Sequence, residues 1–131
     1  MTSKYHTQHE DIGAFVTKDG SIIRELMHPQ RHGAQKQSLA EARIPSGSRT
    51  LLHRHQVTEE LYHVVKGEGM MTLGNEAFKI VVGDTVCISP GTAHCVENIG
   101  AGPLVILCAC TPAYTHEDTE LLLTLENQTQ R

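Results

Sequence analysis

The chain has 131 residues, with 15 acidic against 11 basic side chains and a formal net charge of -4. That length suits one domain with a single buried core, and an acidic balance without any basic run argues against nucleic-acid binding, which needs clustered Lys or Arg for the phosphates. No apolar stretch approaches the roughly 20 residues of a membrane span, and residues 1–6 carry no apolar signal segment, so a soluble, cytoplasmic protein without a membrane partner is expected.

Turn signals recur at short intervals, among them Asp19-Gly20, Pro45-Ser46-Gly47, Gly67-Glu68-Gly69, Gly74-Asn75, Gly83-Asp84, Pro90-Gly91 and Gly100-Ala101-Gly102-Pro103. Short runs rich in Val, Ile, Leu and Thr lie between them, which predicts an all-β sandwich or barrel. Strands are expected near 14–17, 21–26, 37–44, 49–55, 60–66, 69–73, 76–82, 85–88, 93–98 and 104–111, with no internal repeat.

In chain order, His6 and His9 stand in a polar start and read as solvated. Arg24 lies on the second strand, while Gln37, Glu41 and Arg43 share a face of the third. If those faces turn inward, Arg24 and Arg43 are the candidates to clamp a substrate carboxylate; if outward, they are ordinary solvated or interface residues, the reading the sequence favours. The 28–34 segment reads as a loop whose His28 and His32 are solvated.

The chemistry concentrates further on. In the 51–55 strand His53 and His55 are two apart and project side by side, with Arg54 opposite. Residues 56–59 are polar and read as a connection, and Glu60 opens the next strand. There Glu60, Tyr62 and Val64 share one face and Leu61, His63 and Val65 the other, which leaves His63 outside the site. His94 arrives on a later strand, after the Ser89-Pro90-Gly91 turn. Three imidazoles and a carboxylate from three strands can thus converge on one ion.

This pattern resembles the cupin superfamily. Its first motif runs glycine, five residues, His-x-His, three or four residues, Glu, six residues, glycine, and Gly47, His53, His55, Glu60 and Gly67 fill it. Its second runs glycine, five residues, Pro-x-Gly, two residues, His, three residues, Asn. Gly83, Gly91, His94 and Asn98 fill that one, with Ser89 where the first proline usually stands and Pro90 beside it. The motifs cover residues 47–67 and 83–98. The resemblance implies a single cupin double-stranded β-helix (a jelly-roll barrel) over residues 1–131, with its barrel core about 37–111. It also implies that Asn98 fixes the turn after its strand. Runs such as 80–82 and 104–107 are apolar on both faces, and the resemblance implies a homodimer to cover the outer one.

Three neutral His and one Glu around a divalent cation leave a net charge near one positive unit. In six-coordination two neighbouring positions stay open, the mark of a catalytic metal. The ligand set suits one Fe, Mn, Ni, Co, Cu or Zn ion per chain and favours a small oxygen-rich or anionic ligand. Tyr62 lies about 7 Å beyond Glu60 on the same face; it reads as a general acid or base beside the ion or, equally, as a core tyrosine.

Two functions remain open. One is a small-molecule metalloenzyme of the dioxygenase or the isomerase/lyase type; the other is a non-catalytic, metal-dependent binding or sensing module. Sugar-phosphate isomerisation is disfavoured, because Lys66 and Lys79 are too scattered to bind a phosphate. Cys87, Cys95, Cys108 and Cys110 sit in apolar strands without zinc spacing and read as reduced, buried hydrophobes. The Thr115-x-x-Asp118 pattern predicts a short helix or an arm across a partner, and residues 128–131 are expected to fray.

Overall fold

The computed structural model describes residues 3–122, which fold into eleven strands: β1 (Phe15–Val16), β2 (Ile22–Met27), β3 (Ser38–Ile44), β4 (His53–His55), β5 (Glu59–Lys66), β6 (Glu68–Leu73), β7 (Glu76–Val81), β8 (Thr85–Ile88), β9 (His94–Asn98), β10 (Leu104–Thr111) and β11 (Thr119–Leu121). One single-turn 3-10 element (His9–Asp11) precedes them, and among the described residues no helix is long and apolar enough to cross a membrane. The C-terminal residues 128–131, expected to fray, lie outside the described residues.

All pairings are antiparallel. One sheet has the order β1-β2-β3-β10-β5-β8 and the other β11-β4-β9-β6-β7. The chain therefore alternates between two facing sheets, as a double-stranded β-helix requires. Alternating burial shows which face of each strand looks inward: in β3, Ser38, Ala40, Ala42 and Ile44 are buried, while Leu39 and Arg43 are exposed and Glu41 is half-buried. Ile44, Val64, Met71, Ile80, Ile88, Val96, Leu104 and Ile106 fill the interior at 2% exposure or less, where each such side chain contributes about 1.5–3 kcal/mol relative to exposure.

Three expectations are corrected. The strand expected over 49–55 is interrupted and its regular part shrinks to His53–His55: Arg49 bridges Glu97 and Thr50 N–H bonds Val96 O on β9, but Leu51 N–H turns away to Asp19 O. The Thr115-x-x-Asp118 segment makes a turn, with Asp118 N–H donating to Thr115 Oγ1. It then continues as strand β11 beside β4 of the same chain, not as a helix. Finally, Cys87 is exposed and Cys95 half-buried, because both point out of the barrel, while Cys108 and Cys110 are buried inside; all four are free.

Candidate metal centre

The second sheet supplies the imidazoles. In β4, His53 and His55 are buried on either side of Arg54, whose Nε reaches outward to Glu120 Oε1 at 2.7 Å. His94 is the ladder partner of His53 on β9 and is wholly buried. The rings of His53 and His94 lie 4.1 Å apart, and each is near His55, at 5.4 Å. One ring nitrogen from each of the three lies within 4.8 Å of the other two, so His53, His55 and His94 form a cluster that can hold a metal ion.

The outer nitrogens fix the orientation. Nδ1 of His53 faces Leu51 O at 2.7 Å and that of His94 faces Thr92 O at 2.9 Å, so both carry the proton there. Nδ1 of His55 meets Thr119 Oγ1 at 3.0 Å, and that hydroxyl already donates to Thr115 O. All three Nε2 lone pairs are thereby turned inward, the arrangement by which neighbouring groups orient metal-binding imidazoles. Burial holds His53 neutral, with its pKa down at about 4.

Glu60 enters from the opposite sheet on β5. Its Oε1 lies 3.1 Å from His55 Nε2 and 3.5 Å from His94 Nε2, and Cys110 Sγ donates to its Oε2 at 3.3 Å. Burial pushes its carboxyl up, but the His55 and His94 imidazoles beside it outweigh that and hold the pKa at about 2. The polar connection before it is clamped from the turn preceding β11: Asp118 accepts from the N–H groups of Val57 and Thr58 at 2.9 and 3.0 Å. Among the described residues His94 Nε2, fully buried, has no hydrogen-bond partner. A buried lone pair without a partner is costly, and a cation between these nitrogens and Glu60 satisfies it; the residues present fit a divalent transition ion.

Tyr62 stands two residues beyond Glu60, buried, with its ring 5.9 Å from that of His94. Burial, and after it the Glu60 carboxylate, pushes its phenol well above 10. Around these groups is a cavity of about 40 Å3, opened by the small residues Ser38, Ala40 and Ala42 and lined also by Cys108, Cys110 and Tyr114. That leaves room for an ion and a ligand of a few non-hydrogen atoms.

The structure does not bring Arg24 or Arg43 to this cavity. Both sit on the outer face of their strands; Arg24 donates to Ile12 O and lies 3.5 Å from Glu41, and Arg43 is exposed. Strand parity gives the interior to their neighbours, Ile23 and Glu25 on β2 and Ala42 and Ile44 on β3. His63 also points outward, bonded to Thr85 Oγ1, and His9 pairs with Glu41 at the surface. His28 is a further correction: it is buried, and its Nε2 donates to Tyr114 O at 2.7 Å, which ties the 28–34 loop to the segment before β11.

Sequence reasoning missed Asp19 and Glu25, both of which line the cavity. Glu25 was legible from alternation with Arg24. Nothing marked Asp19 beyond its turn, since its place beside His53 depends on how the β1–β2 loop folds over the barrel.

The sequence profile of the family described as "Cupin domain" matches residues 40–110. An uncharacterized protein of Methanocaldococcus jannaschii is 55% identical over 88% of this chain and 93% of its own length. An oxalate-binding protein of Thermotoga maritima is 32% identical over 66% of this chain and 67% of its own. Among solved structures, an oxalate decarboxylase of Lactobacillus farciminis in complex with formate superposes with a TM-score of 0.75 at 24% identity. That match covers 86% of this chain but 34% of the decarboxylase, so the chain spans about a third of that protein and shares its fold.

Proposed function

The chain belongs to the cupin-domain family, and from that premise we propose that His53, His55, His94 and Glu60 hold one divalent transition-metal ion per chain and that the cavity beside it receives a small oxygen-rich or anionic metabolite. The observation that carries this reading is the buried, partnerless Nε2 of His94, which faces the lone pairs of two other oriented imidazoles and a carboxylate. When bound, such an ion polarises a carboxylate or carbonyl oxygen of the ligand.

The chain's own candidate for moving a proton is Tyr62. Burial keeps its phenol protonated, so it serves as a donor toward a ligand atom in the cavity, and it shares the inward face of β5 with Glu60. The reaction class is either of the dioxygenase type or of the isomerase/lyase type. The test is to load the protein separately with iron and manganese and to screen small hydroxy and oxo acids for oxygen uptake and turnover. Tyr62→Phe should retain its metal and lose turnover by about a hundredfold or more. A Tyr62→Phe protein as fast as wild type removes Tyr62 from the chemistry.

A second reading, a metal-dependent binding module, is favoured by the name of the Thermotoga relative, an oxalate-binding protein. Metal-loaded protein that binds such acids and turns none over supports it. For either reading we propose a cytoplasmic homodimer, whose contact would cover the half-exposed Leu39, Leu61 and Val65 on the outer sheet face.

A further inference from the structure

Three carboxyls, of Asp19, Glu25 and Glu60, line the cavity. Asp19 sits in the loop between β1 and β2, and its Oδ1 accepts from the Thr17 hydroxyl at 2.7 Å, the Ser21 N–H at 2.9 Å and the Ser21 hydroxyl at 2.7 Å. Three donors on one oxygen fix the carboxylate and leave Oδ2, which lies 3.5 Å from His53 Nε2. That nitrogen is one of the three offered to the ion, so Asp19 Oδ2 stands beside the coordination space from the side of His53, while Glu60 stands on the side of His55 and His94.

Glu25 adds an unused acceptor. It is 7% exposed, lines the same cavity, and its Oε2 has no hydrogen-bond partner among the described residues. Burial raises its carboxyl, with His28 and Arg31 partly opposing; a neutral carboxyl and a carboxylate both pair well with a hydroxyl. Among the described residues no Lys or Arg lines the cavity, and Arg49 lines the groove on the far side of Asp19.

The charge count follows. The ion with Glu60 alone keeps one positive charge, but Asp19 brings the site to neutrality even before Glu25 is counted. A fully ionised dicarboxylate would then place two negative charges in a buried site, and it carries no hydrogen for Asp19 Oδ2 or for an ionised Glu25. Both are unfavourable: like charges in low dielectric repel, and unpaired buried acceptors lose their hydration without return.

We propose that this site selects a small chelating ligand of at most one negative charge that carries a hydroxyl, such as a 2-hydroxy acid, with the hydroxyl donating to Asp19 Oδ2, and that it rejects fully ionised dicarboxylates. The inference rests on the metal-site reading above and sharpens its substrate class. Asp19 acts as the residue that chooses the ligand, and the 40 Å3 cavity limits that ligand to a short carbon skeleton.

The test is calorimetric titration of manganese-loaded protein with glycolate and with oxalate, each affinity expressed relative to that for manganese in buffer, with metal content measured on every sample. Wild type should prefer glycolate by about tenfold or more on that scale. Asp19→Asn should keep its manganese, bind glycolate more weakly and oxalate more tightly, and so shrink the preference by about tenfold. Glu25→Gln should shift it in the same direction and serves as the second probe if the β1–β2 loop does not tolerate Asn. A wild-type preference for oxalate, no binding of either acid, or a preference unchanged in both variants overturns the proposal. Loss of manganese from a folded Asp19→Asn protein overturns it too, because Asp19 would then be a metal ligand. Failure of the wild type to take up manganese, iron, nickel, cobalt, copper or zinc is a different result: it sinks the metal reading, and this inference with it.

Discussion

At the residue scale, the site depends on where each imidazole spends its proton. Nδ1 of His53 and His94 donates to carbonyls of their own strands' approach, Leu51 and Thr92, whereas Nδ1 of His55 depends on a side chain, Thr119, from β11. Thr119→Val removes that acceptor and leaves the fold's apolar contacts in place, so metal affinity should fall about 10–100-fold, as read by competition with a chromophoric chelator. The metal-free protein should also show the cost of charging His53. Its pKa falls from 6.5 unfolded to about 4 folded, so the unfolded chain binds the extra proton first and stability must rise with pH between those values. The contribution, about 3 kcal/mol, is complete above 6.5 and lost as pH falls to 4. Urea unfolding in the presence of EDTA at pH 7 and near pH 4 measures it, and His53→Gln should flatten the slope.

At the element scale, strand parity was legible wherever alternation was clean. β5 shows it best: Glu60, Tyr62 and Val64 are buried while Leu61 and Val65 are exposed and His63 is half-buried, the arrangement the sequence predicts. β2 alternates as well, yet attention to Arg24 hid its inward neighbour Glu25. Loops were less readable, because their geometry answers to distant partners: Asp19 is held over His53 by Thr17 and Ser21, and β11 forms because β4 has a free edge. The motif residues Gly67 and Asn98 turn out to secure the same corner of the barrel. Gly67 has φ +84, and a Cβ there would lie 2.5 Å from Pro103 O, so Gly67→Ala should cost about 1–3 kcal/mol from backbone strain alone. Asn98 donates through Nδ2 to Ile44 O and Gly102 O and accepts from Gly100 N–H. Asn98→Ala leaves those buried groups unpaired and should cost about 2–4 kcal/mol. Chemical denaturation of both variants checks these losses, with metal content expected to persist wherever the fold does.

For the whole molecule, the two sheets divide the labour: one carries the imidazoles, the other Glu60, Tyr62 and the small residues that leave the cavity open. The outer face of the latter sheet leaves Leu39, Leu61 and Val65 at 38%, 42% and 42% exposure, which is the apolar surface a second copy would cover. Light scattering should give a dimer for the wild type, and Leu61→Asp should shift it toward monomer without loss of the site; a wild-type monomer rejects that assembly. The central claim, that the four converging groups hold a metal, has a more direct test. Protein purified anaerobically without a metal-chelating tag should contain about one transition-metal ion per chain, and His53→Ala/His94→Ala, checked for folding, should contain none. A wild-type chain that arrives empty and takes up no iron, manganese, nickel, cobalt, copper or zinc on reconstitution contradicts the account.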